Sequence, residues 1–168
     1  PASGDAGGSL GAALALWYNE KNNLRKVNIK DDMKGSYLGP EYSQSQIEEE
    51  LKKIGANFQS VEYKKLINEA SEFLSNNKAV GWFQGRMEFG PRALGCRSIL
   101  ADPRSDQTQK NLNIKIKFRE SFRPFAPSII EEDVKEWFDI DVNSPYMLLV
   151  AQIINKVSFG YSKQAKAS

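Results

Sequence analysis

The hydrophobic positions of this chain change period several times along its length. Leu10, Leu14 and Trp17 recur at helical spacing behind a polar glycine turn, which predicts a helix entered between Asp5 and Gly8. Residues 21–42 show no such period and hold Gly35, Gly39 and Pro40, so they read as a linker. Ile47, Leu51 and Ile54 predict a helix over 43–54, with Ser43 or Ser45 as N-cap and Gly55 as its stop. Leu66, Ala70, Phe73 and Leu74 share one face of a second helix over 61–77. Compact apolar runs follow. KAVGWFQG (78–85), SILADP (98–103), SIIEE (128–132) and YMLLVAQII (146–154) predict strands, the first of them buried, and EEDVKEWF (131–138) a short helix. Residues 155–168 are polar and aperiodic, a frayed tail. Strands alternating with helices define an α/β domain, and no internal repeat interrupts it.

Composition narrows the classes of function. A chain of 168 residues suits one domain with one core, burying roughly 70% of its unfolded surface. Its apolar runs at 11–18 and 146–154 are shorter than the about 20 residues needed to cross a bilayer. No Lys or Arg precedes Lys21, so the basic start of a signal peptide is absent, and the single Cys96 excludes an internal disulfide. A cytoplasmic address without membrane contact is expected. The chain has no histidine, which excludes a His-based triad and a typical zinc site and leaves carboxylates, lysines and arginines to carry any chemistry.

Charge is unevenly placed. Six of the seven arginines, Arg86, Arg92, Arg97, Arg104, Arg119 and Arg123, fall between residues 86 and 123, whereas lysines are spread along the chain. Selective clustering of a planar, fork-shaped cation points to phosphate or carboxylate recognition. In GRMEFGPRALGCRS (85–98), Gly90, Pro91 and Gly95 suit the start and stop of a one-turn helix over FGPRALG, whose free amides would form an anion site. The plainer alternative is that the arginines pair with Glu88, Asp102 and Glu120. In KIKFRESFRPFAPS (115–128), an extended backbone would align Lys115, Lys117 and Arg119 on one side, while Phe118, Phe122 and Phe125 read as core contacts.

GRMEFGPRALGCRSILADPR, LNIKIKFRESFRPFAPS and SPYML together resemble the C-terminal domain of carbamoyltransferases of the nodulation-protein NodU and tobramycin carbamoyltransferase type. PASGDAGGSLGAAL resembles the close of the ASKHA-type catalytic domain that precedes it in those proteins. The resemblance implies an α/β, YrdC-like twisted mixed sheet with flanking helices, incomplete at the C-terminus because the family's NTSFN-like segment is missing after Val150. Residues 1–20 would end the ASKHA-type domain, 21–42 link, 43–154 form the partial YrdC-like domain and 155–168 the tail.

By the same resemblance, the domain binds ATP with Mg2+ and carbamoyl phosphate and makes carbamoyl-adenylate. The upstream ASKHA-type domain then passes the carbamoyl group to an acceptor hydroxyl, assisted by a transition metal such as iron. Carried onto this sequence, Lys117, Arg119 and Arg92 are the catalytic candidates. Arg86, Arg97, Arg123, Ser128 and Glu88 are the substrate- and nucleotide-binding candidates, and Asp5 is a metal ligand that acts only together with the upstream domain. Cys96 stands where the family usually has Asn, and is expected to be a small buried side chain rather than a reactive thiol. Two other readings remain: an RNA-binding module, recognised by a steep salt dependence, and a structural module whose arginines only pair internally. Arginines aimed from glycine turns favour a small-molecule pocket over an exposed nucleic-acid stripe.

Overall fold

The computed structural model describes residues 2, 4–26 and 30–154. Where one core was expected, the chain divides into two compact units, Pro1–Phe125 and Ala126–Ser168. No helix among the described residues is long and apolar enough to cross a membrane.

In the first unit α1 spans Asp5–Ala15 and runs on as a π-helical turn over Leu16–Glu20. Helix α2 spans Gln44–Lys53, and the choice of cap falls on Ser43. Its hydroxyl accepts the Gln46 amide at 3.3 Å while the Gln46 side-chain oxygen accepts the Ser43 amide at 2.8 Å, a reciprocal capping box. Gly55, at φ 67, turns the chain out of the helix as its position predicted. Helix α3 spans Tyr63–Ser75 and packs beside β1, Val80–Phe83. β1 pairs antiparallel with β2, Arg97–Leu100, placing Val80 opposite Leu100 and Phe83 opposite Arg97. β1 is not the buried strand expected: it alternates between half-buried and exposed residues. A short helix α4, Thr108–Asn111, continues as a π-helical turn over Leu112–Ile116.

The segment read as a linker is tied down in its second half. Lys34, Gly35 and Ser36 all have positive φ (49, 68 and 65°), and the Asp31 carboxylate accepts the Met33 and Gly35 amides at 2.9 and 2.8 Å around this turn. The strap that follows pairs with residues 87–89: Phe89 N–H to Ser36 O at 2.6 Å, Gly39 N–H to Met87 O and Met87 N–H to Pro40 O, both at 2.9 Å. A Cβ at Gly39 would come within 2.8 Å of the Met87 carbonyl oxygen, so the close approach requires glycine.

In the second unit, the strand expected over 128–132 is absent. Residues 126–130 run without a ladder partner into a 3-10 turn at Glu131–Asp133, where three successive carboxylates favour the start of a helix. Helix α5, Val134–Trp137, leads into β3, Phe138–Asp139, which pairs antiparallel with β4, Gln152–Ile153. Only this end of the strand expected over 146–154 is paired, because Pro145 and the positive φ of Met147 (52°) break the earlier part. The expected tail over 155–168 lies outside the described residues. The protein is thus a mixed α/β chain whose described strands form two separate two-stranded antiparallel sheets; the single twisted sheet implied by the resemblance is not assembled among them.

Candidate functional site

The arginine loop between β1 and β2 is not a one-turn helix. Gly90 and Gly95 have φ of 113 and 109°, far from helical values, and the loop amides turn inward instead. They converge on Glu88, whose Oε1 accepts N–H groups of Leu94 and Cys96 at 2.8 Å each and Arg97 at 3.3 Å. Glu88 is 7% exposed. Burial alone would raise its pKa, but the amides of Cys96, Leu94, Glu88 itself and Arg97 together hold it below the usual carboxylate range. The anion site foreseen for the loop amides is therefore filled by the protein's own carboxylate, and Glu88, read as a ligand contact, holds the loop.

Three of the loop's neighbours confirm how tightly it is built. The Tyr37 hydroxyl donates to Leu94 O at 2.8 Å, and burial, then the nearby Cys96 and Glu88, push its pKa up. Ser98 Oγ accepts the Gly95 amide at 3.0 Å. Cys96 is 8% exposed, and burial and Glu88 raise its pKa although Arg97 acts the other way. It is a packed, protonated thiol as expected, and maleimide at neutral pH should leave it unmodified over a time in which the urea-unfolded chain reacts completely. Rapid labelling of the folded chain would contradict this packing.

The arginines divide by what they touch. Arg97 gives Nη1 to the carbonyls of Gln84 (2.7 Å) and Cys96 (2.8 Å) and Nη2 to Gly85 (3.1 Å), with its guanidinium 3.4 Å from the Phe83 ring centroid. Arg86 donates to Gly39 O at 2.8 Å and lies 3.7 Å from Glu41, bracing the strap. Arg104 is clamped on Asp102 through Nε and Nη2, which holds that carboxyl below its usual range. Arg123 pairs with Glu120 at 2.9 Å. The pairing alternative thus applies to Arg104 with Asp102 and Arg123 with Glu120, but Glu88 binds amides rather than an arginine. Arg92 is exposed and, among the described residues, makes no hydrogen bond or ion pair.

The second basic segment is also rearranged. The helical path through Ile116 puts Lys115 and Lys117 on opposite sides, since residues two apart on a helix do not face each other, so the expected row of cations is not formed. Phe118, at φ 50°, is 86% exposed and Phe122 77% exposed, which overturns their reading as core contacts. Phe125 instead lies under the Arg119 guanidinium, 4.9 Å from its ring centroid. Ser128 is exposed in the second unit. Asp5 opens α1. Among the described residues no three His, Cys, Asp or Glu side chains cluster to hold a metal, so these residues do not by themselves fit a transition metal. Two hollows of the first unit, one against Trp17 and one at the end of α3, are lined by none of the arginines.

Sequence reasoning missed Tyr37 and Asn113, the residues that fix the two basic loops. Tyr37 sat in an apparent linker, and Asn113 in LNIKIK carries no signature that separates it from Asn111.

The first unit thus holds a glycine-bounded arginine loop locked on a buried glutamate and a second basic loop locked on a buried asparagine. The chain belongs to the carbamoyltransferase C-terminus family, whose model matches residues 71–165, more than half of it. It is 50% identical over 155 residues to an uncharacterized protein of Synechocystis sp., covering 91% of this chain and 25% of that protein. It is 38% identical over 157 residues to nodulation protein NolO of Bradyrhizobium diazoefficiens, covering 91% and 28%. It is 44% identical over 86 residues to the 3'-hydroxymethylcephem-O-carbamoyltransferase of Amycolatopsis lactamdurans, covering 51% and 16%. The chain spans about a quarter of the length of the first two of these relatives.

Proposed function

We propose that this chain is the nucleotide-binding part of an ATP-dependent carbamoyltransferase that forms carbamoyl-adenylate from carbamoyl phosphate and ATP in the cytoplasm. The observation that carries the reading is the pair of guanidinium ends left unengaged on otherwise locked loops: Arg92 on the Glu88-held loop, and the Nη atoms of Arg119, whose Nε alone is bonded. Adenylate formation places negative charge on the α-phosphate and the departing pyrophosphate, and cations fixed in advance stabilise such charge without reorganising. Lys117, with no side-chain hydrogen bond or ion pair among the described residues, is free to add to this charge. Arg86, Arg97 and Arg123 would contribute field and loop shape rather than direct contacts.

Magnesium would accompany the ATP phosphates. A transition metal such as iron would sit in an upstream ASKHA-type domain, with Asp5 as the ligand this chain lends to it. The acceptor would be a hydroxyl, the group that the name of the Amycolatopsis relative gives as carbamoylated. The domain layout of 1–20, 21–42 and 43–154 belongs to the same proposal, as does its YrdC-like fold.

Calorimetric titration of the 168-residue chain with ATP and with carbamoyl phosphate tests this. Binding of both is expected, weakened in Arg119→Ala by about 1.5 to 3 kcal/mol, the worth of a charge-assisted hydrogen bond. Failure of the parent to bind either ligand overturns the reading. The exposed Phe118 and Phe122 beside Lys115 and Lys117 support a second reading, single-stranded RNA bound by stacking. It requires tight RNA binding that falls steeply with salt.

A further inference from the structure

Arg119 is a candidate cation held along one edge of its guanidinium while the other edge stays open. Its Nε donates to Asn113 Oδ1 at 2.7 Å, and its backbone amide donates to Asn113 O at 3.0 Å. Asn113 is fully buried in the π-helical turn after α4. Its Nδ2 donates to Ser121 O at 3.1 Å and Arg123 O at 2.8 Å, so one side-chain amide holds both the Arg119 guanidinium and the loop that follows it. Gln109 adds bonds to Phe122 O and Arg123 O at 3.0 and 3.1 Å. Phe125 supports the face of the guanidinium. With Nε committed inward, the end of the fork carrying both Nη atoms is the edge that remains, and neither Nη makes a hydrogen bond or ion pair among the described residues. That edge is the one suited to bidentate binding of a phosphate.

We infer that Asn113 is a positioning residue that aims the Nη edge of Arg119 at a phosphate group of the nucleotide. The inference rests on the nucleotide-binding reading above. A π-helical turn is compatible with this use, because such irregular turns are frequent at functional sites. An arginine on a loop of this length would otherwise sample many rotamers, and each loses affinity in proportion to the time spent misaimed.

The test is a double-mutant cycle for ATP on the 168-residue chain, read by calorimetry, with Asn113→Ala, Arg119→Ala and the pair. Asn113→Ala is expected to weaken ATP binding about tenfold, within the range of coupling between contacting residues, and to cause no further loss once Arg119 is alanine. The same loss in both backgrounds, or no loss in either, overturns the inference while leaving the nucleotide site standing. A second readout needs no ligand. The Arg119 Nε proton should exchange slowly with water in the parent and rapidly in Asn113→Ala, with backbone amide shifts changed only around residues 113–123. A slowly exchanging Nε proton in a parent that does not bind ATP means that the nucleotide reading has failed, and the aiming role with it. If Asn113→Ala does not fold, Arg119→Lys serves in its place, since it spares the buried amide and its carbonyl bonds. Lysine has no Nε fork for Asn113 to hold, so ATP affinity should fall nearly as far as in Arg119→Ala; affinity equal to the parent's overturns the inference.

Discussion

Glu88→Ala is expected to destabilise the first unit by about 3 to 5 kcal/mol, because it strands one buried and two part-buried amides at a cost of about 1 to 3 kcal/mol each. In a domain of this size that lowers Tm by roughly 10 °C or more. Glu88→Gln keeps an acceptor oxygen but replaces charge-assisted bonds with neutral ones about half as strong, so it should fall between alanine and the parent. Acidity should narrow the gap between the parent and the glutamine variant. The folded carboxyl is held below the ordinary range while the unfolded one is not, so as pH falls through the carboxylate range the unfolded chain takes up the proton first. The parent therefore loses the Glu88 contribution on acidification, and the glutamine variant, which cannot titrate, does not. Asp102 and Glu120 are also held low and titrate in the same window, but they are common to both proteins. Urea midpoints measured from about pH 7 to about pH 3 should converge for the two proteins. A gap that stays constant would mean that Glu88 is not the ionised partner of these amides.

Arg97 and Arg92 should separate stability from binding. Arg97→Ala removes donors from the carbonyls of Gln84, Gly85 and Cys96 and a cation stacked on Phe83. A cost of about 2 to 3 kcal/mol in folding stability is expected from charged hydrogen bonds and cation–π contact together. Arg92→Ala touches nothing in the described structure and should change stability by less than about 0.5 kcal/mol. Its effect should appear in ATP affinity, lowered on the order of 10- to 100-fold for one lost charge-assisted contact. Denaturation and calorimetry on both variants decide it. Normal ATP binding by Arg92→Ala, or an unaltered melting curve for Arg97→Ala, would assign the two arginines wrongly.

Local signals were read well from sequence, and long-range ones were not. The cap at Ser43, the stop at Gly55 and both main helices follow from residues within a few positions of one another. The arginine motif was recognised as a unit, but its shape was set by Glu88, a residue that periodicity cannot distinguish from an exposed glutamate. The alternation of Lys115, Lys117 and Arg119 fits a strand on paper; the helix begun at Thr108 carries through it instead. Phe118 and Phe122 looked like core by spacing alone, and the positive φ of Phe118 turns the chain so that both face outward. Tyr37 and Ser36 act on partners that lie more than fifty residues away in sequence, beyond the reach of any local pattern.

The pairing of the strap with the arginine loop also bears on how the chain acquires its shape. Arg86 and Gly39 are 47 positions apart, and Tyr37 and Leu94 are 57. Helices α2 and α3 lie between them and can form from local contacts on microsecond timescales. Bringing the strap to the loop closes a much larger ring, whose entropic cost is met only when several contacts form together. The guanidinium-bearing turn is therefore expected to take its shape after α2 and α3 have formed, so stopped-flow refolding should show helix content returning before the Tyr37 environment does.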